Sequence, residues 1–74
     1  MSEYGDLKDM IDVLAVAISR EEVEERFFRR SAEASSRKMA SKMFAEIADE
    51  FSDHRKSLET RRALLEQALK DMSG

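Results

Sequence analysis

The chain has no cysteine, no proline and no tryptophan, and its two glycines, Gly5 and Gly74, sit near the ends. Without thiols it can form neither disulfides nor thiolate metal sites. Without proline or an interior glycine, nothing strongly interrupts a helix between residues 6 and 73. No strand-like alternation of apolar and polar residues is present either, so the expected class is all-α. The longest apolar run, Val13 to Ile18, is far too short to cross a bilayer. The opening stretch "MSEYGDLKD" is acidic and lacks the apolar core of a signal peptide, so a cytoplasmic location is expected, without membrane association.

Charge of one sign is also scarce. Charged residues make up 39% of the chain, yet the net charge is only −3. Interspersed signs fit solvated helix surfaces, and a weakly acidic chain makes a poor partner for nucleic acid. The basic groups Arg29-Arg30, Arg37-Lys38 and Arg61-Arg62 form no single stripe.

What the chain does have is helix formers at a 3.5-residue repeat. One series runs Leu7, Ile11, Leu14, Ile18, Glu21, Glu25, Phe28, Ala32. A second runs Ala40, Phe44, Ile47, Phe51, His54, Leu58, Arg61, Leu65, Ala68, Met72. Each is one stripe of a helix that faces a partner. Met10, Ala17, Met43, Ala48 and Leu69 widen the stripes, as a globular bundle requires. Asp6 is the expected first cap, and Ser35 and Ser36 are the best interior caps. The reading is one domain over residues 1–74: a helix over about 6–35, a turn over about 35–37, and a second helix over about 37–72. The alternative, one helix of about 65 residues, would be about 100 Å long and need a coiled-coil partner throughout. A two-helix hairpin cannot cover both stripes, and a chain this short is marginal alone. A homodimer closing a four-helix bundle is therefore expected.

Glu21, Glu25, His54 and Arg61 interrupt the apolar series. A buried carboxylate without a partner costs several kcal/mol, so each needs one. With the turn near residues 35 and 36, Glu21 should lie level with Glu50 and Phe51, a turn from His54. Glu25 should lie level with Glu46, and Arg61 near Met10 and Ile11. Glu21, Glu25, Glu50 and His54 of two chains would then gather at mid-bundle. Oxygen and imidazole donors of this kind suit iron, manganese or zinc. The structural alternative is a histidine bonded to Glu21 or Glu50 with no metal, and a Glu25 paired with Arg or Lys.

The segment Ala17 to His54 resembles the first helix pair of the rubrerythrin branch of the ferritin-like superfamily. The similarity rests on Ala17-Ile18, Glu21 and Phe27-Phe28 in the first helix and on "MFAEIADEFSDH", residues 43–54, in the second. The resemblance implies a two-helix repeat that dimerises around a di-iron centre, with Glu21 and His54 as metal ligands. The glutamate such a site expects three residues before His54 is replaced by Phe51. Glu50, four residues before His54, could substitute, and Glu25 could add an oxygen. The cysteine-rich electron-transfer part of full rubrerythrins has no counterpart, so peroxidase or ferroxidase activity would need an external reductant. Three functions stand: a metal-binding, iron-handling or oxidative-stress half-bundle, a metal-free dimerisation or adaptor module of the same fold, and a plain coiled-coil interaction protein.

Overall fold

The computed structural model describes residues 3–73, which form two helices, α1 (Glu3–Ala34) and α2 (Lys38–Ser73), packed as an antiparallel hairpin. Its dimensions are 54 × 15 × 14 Å. The long axis is that of α2, whose 36 residues span about 54 Å at about 1.5 Å each. A single continuous helix is excluded, because the chain reverses over residues 35–37.

The reversal is made without glycine, and no described residue has a positive φ. Ser35 N–H donates to the Ser31 carbonyl at 3.1 Å and closes α1. Ser41 N–H donates to the Arg37 carbonyl at 2.9 Å and opens α2, which makes Arg37 its N-cap. The Ser35 hydroxyl accepts from Arg37 N–H at 3.3 Å. The Ser41 hydroxyl then donates across the turn to the Ala32 carbonyl at 2.7 Å, fastening the two helices together. At the other end α1 begins at Glu3, earlier than expected, so Asp6 is a first-turn residue and not the cap. There, with Glu3, it complements the positive end of the helix dipole.

The α1 stripe lies against α2 as its periodicity requires: Leu7, Ile11, Leu14, Phe28 and Ala32 are half-buried and Ile18 is buried. From α2 come Phe44, Ile47, Phe51, Leu58, Leu65 and the fully buried Ala48. Near the turn, Phe28 stacks on Phe51 with ring centroids 5.8 Å apart and lies 6.2 Å from Phe44. Among the described apolar residues only Ile18 and Ala48 are buried. The accessible surface is 5704 Å², against about 4,700 Å² for a compact monomer of 8.5 kDa. The excess, about 1,000 Å², resembles what one partner contributes to a standard interface, about 800 Å². No described helix is long and apolar enough to cross a membrane.

Candidate metal centre

The four polar residues of the stripes divide into two kinds. Glu21 and Glu25 lie at the helix–helix seam, with side chains 17% and 16% exposed. His54, at 62%, and Arg61 lie outside the seam. A straight helix drifts against a 3.5-residue repeat. In the second half of α2 the drift moves the inward line from His54 and Arg61 to their neighbours Arg55 and Arg62, both half-buried.

Arg55 is the residue that the sequence reading missed. Its guanidinium donates to Glu25 Oε1 at 2.9 Å and to Glu59 Oε1 at 3.0 Å. Arg29 donates to the other Glu25 oxygen, Oε2, at 3.2 Å, and to Asp49 at 3.1 Å. The hydrogen bond from Arg55 holds the Glu25 carboxyl below its ordinary value of 4.5. It outweighs burial, and Arg29 adds to the effect. Both guanidiniums are held charged in return, Arg55 chiefly by Glu25 and Arg29 chiefly by Asp49. Each Glu25 oxygen thus accepts from a guanidinium, Oε1 from Arg55 and Oε2 from Arg29. The clue in sequence was Arg55 itself, which falls seven residues from the buried Ala48 and from the half-buried Arg62.

The expected levels also shift. Glu21 meets His54 directly, and Glu25 meets Arg55, where Glu50 and Glu46 were expected. Glu46 and Glu50 are exposed. The cause is the direction of side chains. Every Cα–Cβ bond leans toward the N-terminus of its own helix, so in an antiparallel pair each side chain meets a partner further along the opposite helix than its backbone level suggests. The three-residue turn adds to the displacement.

His54 Nδ1 lies in hydrogen-bonding contact with Glu21 Oε1. An imidazole whose Nδ1–H donates to a carboxylate carries its lone pair on Nε2. The other oxygen, Glu21 Oε2, is buried without a hydrogen-bond partner. An unsatisfied buried oxygen costs about 1–3 kcal/mol unless something else reaches it. The pair sits near mid-length of both helices. Phe51, at the position where a further ligand is expected, turns its ring onto Phe28.

Glu21 also lines a surface recess with Val13, Val16 and Ala17, and Val13 is shared with a second, apolar groove. That groove, of 590 Å³, is lined by Asp9, Met10, Val13, Leu14, Arg61, Leu64 and Leu65. Val13 and Leu64 are each 67% exposed, and Val16, Phe27 and Met43 are about half exposed. Among the described residues of one chain, no three His, Cys, Asp or Glu side chains converge as a metal site. One chain offers one carboxylate and one imidazole; two chains face to face would offer two of each. No protein family, curated protein or solved structure matches this chain.

Proposed function

We propose that two copies of this hairpin close into a ferritin-like four-helix bundle that binds a metal ion of the iron class between them. The observation that carries the reading is the Glu21–His54 contact, at mid-length beside the recess of Val13 and Val16, with Glu21 Oε2 buried and unsatisfied. A second copy covers Val13, Leu64 and Phe27 and doubles the donor set. Two carboxylates and two imidazoles then face one another, a mixture that suits iron ahead of manganese or zinc in this kind of bundle. Glu21 would hold the metal through oxygen, and His54 through the ring nitrogen that its neighbours leave free. Bound iron would supply redox chemistry toward oxygen or peroxide. Of the chain's own residues, Glu21 holds the imidazole in place, and the second copy would exclude water from it. An external reductant would be required, because the chain carries no redox-active thiol.

The specific observation favouring a metal-free dimerisation or adaptor module is Phe51, which removes one carboxylate per chain and packs into the aromatic cluster. Metal analysis separates the two. The purified protein is stripped with chelator, reloaded with Fe(II) under anaerobic conditions, and measured for metal content and sedimentation together. Stoichiometric metal in the dimer, lost in both Glu21→Ala and His54→Ala, is the expected result. Metal that survives both changes, or an intact dimer that takes none, overturns the metal reading.

A further inference from the structure

We infer that the two copies stack head to tail, with Glu50 of each chain paired to Arg61 of the other on either side of the Glu21–His54 level. The inference rests on the dimer proposed above and specifies its orientation and register.

Four residues of α2 carry it: Met43, Glu50, Arg61 and Ala68. They are spaced by seven, eleven and seven residues, close to two, three and two turns, so they share one line along the helix within about 20°. His54 and the groove-lining side of Arg61 lie along the same side. Glu50 and Arg61 are exposed, and neither belongs to any ion pair among the described residues. They cannot pair with each other within one chain, since eleven residues separate them by about 16 Å along the helix.

The line is symmetric in position and complementary in chemistry. The middle of α2 falls between Arg55 and Lys56. Glu50 and Arg61 stand five residues out from it on opposite sides, and Met43 and Ala68 stand twelve. A twofold axis crossing the helix at this point brings each residue over its counterpart in the other copy. Acid then meets base twice, and the long Met43 meets the small Ala68 twice. The axis also passes within two residues of His54, so both Glu21–His54 pairs come to one level. A twofold axis along the hairpin gives a different outcome. That axis lays α2 on α1 of the other copy, so Glu50 and Arg61 only share a level with their own counterparts, diagonally across the bundle, and acid no longer meets base. Full overlap covers the free side along its whole length, in keeping with the surplus of exposed surface.

Two measurements test orientation separately from dimerisation. The first is sedimentation at low salt, where exposed charges are least screened. Glu50→Arg and Arg61→Glu should each weaken the dimer by about tenfold or more, since each converts two attractions into two repulsions. The double exchange should restore the wild-type constant within a few-fold. In a parallel dimer the single changes would leave the number of like-charge contacts unaltered, and unchanged dissociation constants would overturn the inference. The second uses the absence of native cysteine. Met43→Cys mixed with Ala68→Cys should cross-link between the two variants on oxidation or with a short bismaleimide, while neither variant links to itself. Self-linking of Met43→Cys in an intact dimer overturns the head-to-tail stacking alone. A wild-type chain that sediments as a monomer overturns the dimer reading, and the stacking with it.

Discussion

Phe27 and Phe28 are adjacent in sequence but serve different surfaces, and truncating each in turn tests the division between seam and free side. The Phe28 ring is half-buried and lies 5.2, 6.2 and 5.8 Å from the rings of Phe27, Phe44 and Phe51. Phe→Ala in a full core costs about 3–5 kcal/mol. Partial burial lowers that figure, and lost ring pairs at about 0.5–1.5 kcal/mol each raise it again. We expect Phe28→Ala to cost about 3 kcal/mol. A chain of 74 residues holds about 4–11 kcal/mol in total, so the loss is a large part of it. The midpoint of thermal unfolding should fall by about 12–24 °C. Phe27 is 47% exposed and has one ring partner, Phe28. Its truncation should cost the hairpin about 1 kcal/mol. If the proposed dimer forms, it should also make unfolding less concentration-dependent, because a thinner surface leaves fewer folded chains paired. Helical circular dichroism followed through urea and thermal unfolding, at two protein concentrations tenfold apart, measures both. Equal losses from the two variants, or a loss below about 1 kcal/mol from Phe28→Ala, would refute the assignment of Phe28 to the seam.

Two further outcomes follow from the polar groups. The Glu25 carboxyl has a folded-state pKa below its ordinary 4.5, through Arg55 first and Arg29 with it. The folded state therefore binds fewer protons than the unfolded one. This contribution is present above about pH 4.5 and is lost as pH falls through the folded value. Glu25→Gln should accordingly flatten the decline of the urea midpoint between about pH 5 and about pH 3, and an unchanged acid limb would count against the Arg55–Glu25–Arg29 arrangement. Ser41→Ala removes the bond from the Ser41 hydroxyl to the Ala32 carbonyl. It should lower stability by about 1 kcal/mol, whereas Ser52→Ala, a serine of α2 remote from the turn, should cost less; equal costs would show that the cross-turn bond contributes nothing.

The α1 stripe from Leu7 to Ala32 was legible because a 3.5-residue repeat of apolar side chains admits few other meanings. The turn at residues 35–37 was legible from the serines alone, since only capping chemistry distinguishes it from helix. The partner types of Glu21 and Glu25, an imidazole and a guanidinium, stood among the readings of the sequence, but the levels at which they meet did not. Backbone level could be counted along the sequence, but the lean of the side chains, which carries Glu21 to His54, could not. The role of Arg55 was hidden for a related reason. A strict 3.5 repeat points to His54 and Arg61, and the gradual drift of a straight helix brings Arg55 and Arg62 inward in their place. The Glu21–His54 pair was identifiable by residue type, while the unsatisfied oxygen beside it emerges only from packing.

Because α1 and α2 are antiparallel and nearly equal in length, residues 3 and 73 leave the rod at the same pole, with the turn at the other. In a head-to-tail pair the end of one chain and the beginning of the next lie at opposite poles, 54 Å apart along the rod. Joining two copies in one polypeptide would then take a crossover of at least about 15 residues, fully stretched. A short tether would force the two halves into the other orientation or keep them apart, so tether length becomes a control over whether the bundle can close on itself.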